Sequence, residues 1–184
     1  MTRTEIRIVA SGGQGAITMG NLLGRIATLY EGKYAAQTHS YGAAVRGGVI
    51  WTEVVISDYE IDYPGVIDTD VFIIMSQSAA DRYVRDIKRG DMVIIDSSLV
   101  QNPPIEDLVL YQIPASELAE EKFGNSLFAN MILLGFLVGL TEAVRRNNFI
   151  KAAKEWMKLS SENIKAFDIG FSIASQEGDS GRGD

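Results

Sequence analysis

The sequence predicts an α/β fold: a single Rossmann-like, doubly wound domain whose mostly parallel sheet is flanked by helices and followed by a helical C-terminal part. Three observations carry that expectation. Short β-branched runs alternate with stretches of helical periodicity, the order that builds βαβ units. Two of the runs, VFIIM at 71–75 and MVIID at 92–96, are almost wholly apolar, as strands covered on both faces are. A glycine turn, SGGQG, joins the first run to the first helical stretch.

Along the chain, EIRIVA at 5–10 reads as the first strand, and the apolar residues from Ile17 to Leu29 recur at helical spacing. Gly32 then leads into a second strand over 33–38. VIWTEVVI at 49–56 is a longer β-branched run, bounded by Ser57-Asp58 and the turn signal at Pro64-Gly65. Helical character over 78–88 separates the two apolar runs, and 109–113 is a further strand. From Ser116 onward the pattern is helical, with Asn147-Asn148 marking a break before an amphipathic helix over 149–167. No internal repeat or linker divides the chain. One domain is expected over 1–175, followed by a polar, glycine-rich flexible tail at 176–184.

Composition narrows the function classes. The 184 residues are 46% hydrophobic and 22% charged, an ordinary globular balance. Seventeen basic against 24 acidic residues leave a formal charge of −7, which argues against nucleic acid and against a basic membrane-surface helix. There is no cysteine, so no thiolate can ligate an iron–sulfur cluster, act as nucleophile or form a disulfide. The single histidine, His39, rules out His-rich zinc sites. MTRTEIRIVASGG lacks the order of a signal peptide, and a cytoplasmic location is expected. The apolar run 127–140, broken by Asn130, is shorter than the roughly 20 residues a membrane span needs and reads as a buried helix.

Two glycine segments are the candidate site. A small-residue turn between a strand and a helix exposes backbone N–H groups at the helix's positive end, which suits phosphate. Gly12, Gly13, Gln14 and Gly15 could form such a cradle; equally, the glycines could serve tight strand-to-helix packing. Against the dinucleotide fingerprint the three glycine positions are held by Ala10, Gly12 and Gly15, and no carboxylate stands near 35–38 to hold a ribose. No Lys-Ser/Thr pair makes the turn a triphosphate loop. Gln14 offers a long amide with little packing role. The second segment places Ser40, Tyr41, Gly42, Arg46, Gly47 and Gly48 together, a hydroxyl, an aromatic and a guanidinium suited to gripping an anion beside a planar group. Its bland alternative is a loop with Arg46 in a structural ion pair, and His39 beside it reads as a bystander. Asp96 could face a ligand or cap the turn at Ser97-Ser98. Gly135 and Gly139 lie on one helical face and permit close approach of another backbone, within the chain or between subunits.

The ordered set of strand, S-G-G-Q-G, long helix, S-Y-G-x-x-x-R-G-G, V-V-I-S-D-x-x-I-D-Y-P and a late A-N-M-x-x-L-G resembles the gamma subunits of 2-oxoacid:ferredoxin oxidoreductases, most of all the 2-oxoglutarate synthase type. The resemblance spans about residues 6–140. It implies an α/β chain that assembles with alpha, beta and usually ferredoxin-like delta subunits into a complex of anaerobic metabolism. That complex decarboxylates a 2-oxoacid oxidatively on thiamine diphosphate with magnesium, reduces ferredoxin through iron–sulfur clusters and forms an acyl-coenzyme A. Those redox cofactors would sit on partner subunits. This chain would help bind coenzyme A and cover the thiamine site, supplying no catalytic residue and no metal ligand of its own. Ala10, Ala43-Ala44 and His39 depart from residues common in that family (glycine, Pro-Glu and glutamine). Pyruvate, branched-chain or indolepyruvate specificity is an alternative, as are a stand-alone NAD(P)- or flavin-binding reductase and a structural subunit that binds no ligand.

Overall fold

Side-chain alternation on the first strand, β1 (Arg3–Ser11), divides the molecule into two layers. Ile6, Ile8 and Ala10 enter a large core, while Val9 enters a smaller one on the opposite face with Phe72, Ile74, Val93 and Ile95. The computed structural model describes residues 3–40, 48–103, 108–155 and 158–180. Its strands are β1, β2 (Tyr34–His39), β3 (Val49–Ser57), β4 (Val71–Ile74), β5 (Met92–Asp96) and β6 (Val109–Ile113), in the sheet order β2-β3-β1-β4-β5-β6. β1, β4, β5 and β6 pair in parallel, and β3 lies antiparallel between β1 and β2. The mostly parallel α/β sheet expected from the sequence is therefore present, with one reversed strand.

The large core is roofed by α1 (Ala16–Glu31), α3 (Ala115–Phe123), α4 (Ala129–Thr141), α5 (Arg146–Glu155) and α6 (Ser161–Ser180). α1 presents Met19, Leu22, Leu23 and Ile26 inward and ends on Gly32 in the left-handed region, whose N–H bonds the Ala27 carbonyl. α4 is apolar nearly all round because sheet and helices enclose it. Its contact with α6 is backbone on backbone: a Cβ on Gly135 would run into the Phe167 carbonyl, and one on Gly170 into that of Ile132. The stripe of Gly135 and Gly139 thus serves internal packing. Phe149 and Phe167 stack beside it with centroids 3.6 Å apart.

The opposite face carries one short helix, α2 (Gln77–Tyr83), and a 3₁₀ turn over Val84–Asp86. Polar ties replace bulk there. Arg7 donates from Nε and Nη2 to the mostly buried Glu53 carboxylate, at 2.9 and 2.6 Å, and the other Glu53 oxygen accepts from Thr38 and from the Val66 N–H, each at 3.2 Å. Glu5 accepts the N–H groups of Ile67 and Asp68 at 2.5 and 2.8 Å, fastening the segment between β3 and β4.

Two expectations at the C-terminal end are corrected. Asn147-Asn148 do not interrupt a helix: they lie in the first turn of α5, where Asn148 donates to Glu31 at 3.0 Å. The expected single helix over 149–167 is two, α5 and α6, and α6 runs on to Ser180, five residues into the stretch read as a tail. Gly170 and Ala174 dock this helix on α4. Residues 181–184 of that tail lie outside the described residues.

Candidate functional site

The carboxyl ends of β1 and β4 meet where the chain departs to opposite sides of the sheet, the position at which open α/β folds form a crevice. β1 hands over to the glycine turn at Ser11, and the Gln14 N–H closes the turn on the Ser11 carbonyl at 3.2 Å. Gly13 and Gly15 take φ of 95° and 83°, a region that costs other residues about 1–2 kcal/mol. Gly15 has a second constraint, because a Cβ there would collide with the Asn130 amide at the start of α4. The first-turn N–H groups of α1 have no intrahelical acceptor and face this edge, as at any helix start.

The structure brings Gly48, the last residue of the second glycine segment, to the first. β1 and β2 are not neighbours, because β3 runs between them; the second segment is the connector of an antiparallel hairpin. β3 begins at the edge where β1 ends, with Ser11 opposite Val49. The Gly12 N–H donates to the Gly48 carbonyl at 2.9 Å, clasping the turn to the connector. Ser40 forms the hairpin neck: its N–H donates to the Trp51 carbonyl at 3.0 Å and its Oγ accepts the Trp51 N–H at 3.1 Å. Tyr41, Gly42, Arg46 and Gly47 lie outside the described residues. His39 closes β2 opposite Thr52.

Gln14 works inward. Its Oε1 accepts the Ser11 N–H at 2.6 Å and its Nε2 donates to the Met75 carbonyl at 2.8 Å, so the amide ties the end of β1 to the end of β4. Asp96 is buried and accepts from the Ser98 N–H at 3.2 Å and from the Ser116 hydroxyl at 2.6 Å, which settles it as a cap of the turn after β5 and of the start of α3.

A group absent from the sequence reading lies beside the turn. The Ser11 hydroxyl donates to that of Ser76 at 3.1 Å, and the exposed Ser78 hydroxyl is 3.4 Å from Ser11 and 3.2 Å from Ser76. Ser76 also caps α2, accepting the Ala79 N–H at 3.3 Å. The signal was available: hydroxyl residues directly follow both strands that flank the crevice. A cavity of about 120 Å³ opens next to it, lined by Gln14, Met75, Leu99, Ser116, Ser126 and Leu127 among others. Among the described residues no cluster of histidine, aspartate or glutamate is arranged to hold a metal, and no helix is long and apolar enough to cross a membrane.

Fold and site together define an α/β domain with a glycine turn at its crevice edge and, having no cysteine, no means of ligating an iron–sulfur cluster by thiolates. Residues 5–173 match the model of the pyruvate ferredoxin/flavodoxin oxidoreductase family, and the chain belongs to that family. It is 42% identical over 178 residues to 2-oxoglutarate synthase subunit KorC of Methanocaldococcus jannaschii, covering 95% of each chain. Against the KorC subunit of Methanothermobacter thermautotrophicus the identity is 42%, covering 91% of this chain and 93% of the relative. The crystal structure of the keto/oxoacid ferredoxin oxidoreductase gamma subunit from Geobacter sulfurreducens superposes with a TM-score of 0.80 at 33% identity, covering 93% of this chain and 98% of that one. The chain is thus of the gamma-subunit type, part of an oxidoreductase assembled from several subunits or domains. A 2-oxoglutarate:ferredoxin oxidoreductase from Magnetococcus marinus, solved with 2-oxoglutarate, coenzyme A and succinyl-CoA bound, shares the fold at 23% identity and a TM-score of 0.84. The match covers 96% of this chain and 32% of that larger one.

Proposed function

We propose that this chain is the gamma subunit of a cytoplasmic 2-oxoglutarate:ferredoxin oxidoreductase, that it helps hold coenzyme A, and that it covers a thiamine diphosphate site on its partner subunits. The observation that carries the reading is the clasp from Gly12 to Gly48, which joins the glycine turn to the end of the second segment at the crevice edge. Gly13 and Gly15 shape the turn so that the first N–H groups of α1 face an incoming phosphate. Gln14 holds that turn in register with β4. Ser40 and Gly48 fix the ends of the connector whose Tyr41, Gly42, Arg46 and Gly47 would form the second wall.

Decarboxylation of the 2-oxoacid and electron transfer through iron–sulfur clusters to ferredoxin belong, in this reading, to thiamine diphosphate, magnesium and clusters on alpha, beta and delta subunits. This chain contributes binding and the exclusion of water. The KorC relatives support 2-oxoglutarate as the substrate. Replacing Arg46 by alanine in the assembled complex is expected to raise the apparent KM for coenzyme A more than that for the oxoacid; an equal or absent change removes Arg46 from the site.

A structural subunit that binds no ligand is the second reading. It draws support from Gly12 and Gln14, whose N–H and amide are engaged within the fold. Calorimetric titration of coenzyme A into the complex with and without this chain separates the two, because a scaffold leaves the affinity unaltered.

A further inference from the structure

At the edge of the sheet opposite the glycine turn, a cavity of about 360 Å³ is lined by Glu31, Lys33, Val138, Glu142, Arg145 and Phe171 among others. α1 fixes the separation. It starts beside the turn and Glu31 is its last residue, so its 16 residues put the cavity roughly 24 Å from the crevice at about 1.5 Å per residue. Glu31 belongs to the frame. Its side chain is 3% exposed, and Oε1 accepts the Arg145 N–H at 2.5 Å and the Asn148 amide at 3.0 Å, which joins the end of α1 to the start of α5. Arg146 does too, donating from Nε and Nη2 to Asp168 at 3.0 and 2.7 Å, with its guanidinium 5.6 Å from the Phe171 ring centre.

Three charged groups are left over. Among the described residues the side chains of Glu142 and Arg145 have no hydrogen-bond or ion-pair partner, although they stand three residues apart and line the same cavity. Lys33 reaches Glu31 Oε2 only at 3.9 Å, beyond hydrogen-bond range, so its ammonium keeps its donors. Glu142 is also held in an unusual backbone state. α1 and α3 both end on glycine, Gly32 and Gly124 at φ 65°, whereas α4 ends on Glu142 at φ 52°. Glycine takes that region freely and glutamate does not, so what the glutamate adds is a carboxylate at the cavity. The final carbonyls of α4 put partial negative charge at the same end. The cavity thus offers a carboxylate for a cation, two cationic groups for an anion, and Val138, Val144 and Phe171 as an apolar wall.

We propose that this cavity binds a free α-amino acid with an apolar side chain: the ammonium on Glu142, the carboxylate between Lys33 and Arg145, and the side chain against Val138, Val144 and Phe171. The two unpaired charges, one of each sign, match a ligand of no net charge. The volume lies at the small end of the roughly 300–1,000 Å³ that ligand pockets span. A dicarboxylate or a phosphate leaves Glu142 without a partner of opposite sign. An amino acid here ties the ends of α1, α4 and α5 together without touching the crevice, and the inference does not depend on the coenzyme A reading.

The test is calorimetric titration of the assembled oxidoreductase with L-leucine, L-methionine and L-phenylalanine. At least one is expected to saturate one site per gamma chain; no saturable binding of any of them overturns the site. For the tightest of the three, the N-acetyl form lacks the ammonium and the carboxamide lacks the carboxylate. Each is expected to bind at least about tenfold more weakly, the loss that a charge-assisted hydrogen bond gives, and undiminished binding of either overturns the charge recognition. Arg145→Ala weakens binding of the amino acid to a similar extent. Arg145 bonds Glu31 through its backbone N–H, so that link survives the change. Glu142→Gly separates a binding role from a structural one: affinity falls likewise, while the Tm of the ligand-free enzyme holds or rises, because glycine suits a φ of 52°. A fall in Tm together with the affinity marks Glu142 as structural and overturns the proposal, as does unchanged affinity in either variant. Neither 2-oxoglutarate nor coenzyme A displaces the amino acid; competition by either places it in the crevice and overturns the remote site.

Discussion

The glycines of α4 and α6 and those of the turn after β1 do different work. Gly135 and Gly170 are pressed against opposing carbonyls, with no room for a methyl group. Gly13 has nothing within 4 Å of where a Cβ would stand, and what it requires is a left-handed backbone. Close-packed glycines belong to the thick helical layer and set how near two helices lie. Turn glycines belong to the thin edge of the sheet, where backbone groups stay accessible. Glycine-rich stretches alone do not reveal which kind is which; the surroundings of the absent side chain do.

Substitutions can break or sharpen that contrast. The largest effect is expected at Gly135→Val, which must push α6 off α4; overpacking costs about 1–3 kcal/mol and more where backbone blocks relief, so urea denaturation should show most of the stability gone. A stable Gly135→Val protein would mean the two helices tolerate separation. Next comes Arg7→Ala on the thin face. It strips a carboxylate with 11% side-chain exposure of its charged partner, and about 1.5–3 kcal/mol should be lost in the same assay. Gly15→Ala should cost about 1–2 kcal/mol for its backbone region, plus the collision with Asn130. Adding Asn130→Ala should recover the collision and not the backbone cost, so full recovery would show that φ at Gly15 is unimportant. The smallest effect is at Lys88→Ala. Its ion pair with Asp68 is exposed on both sides, and Tm should not move measurably.

Much of the architecture was legible from apolar runs alone. The strands at 71–75 and 92–96 and the turn into α1 sit where β-branched patterning and glycine placed them. The reversal of β3 was not, since an apolar run carries no direction. A clue did exist: the connector from His39 to Val49 is shorter than the dozen or so residues a parallel crossover needs. The split of the last helices escaped because amphipathic spacing persists into residues 158–160, which belong to neither helix. At the site, the glycine turn was legible and its partners were not. Gln14 reaches Met75, which is distant in sequence, and the serine cluster assembles from the end of β1 and the start of α2. Such groupings become visible only once the sheet order is known.

The reversed strand has a consequence for how such chains diversify. The connector between β2 and β3 is anchored at two posts, Ser40 on Trp51 and Gly48 on Gly12, and both posts rest on main-chain atoms of the sheet. A change of length between them costs little in itself, because the closure entropy of a loop changes slowly with its length. Evolution can therefore retune whatever this rim touches as one replaceable cassette, leaving the frame that carries it intact.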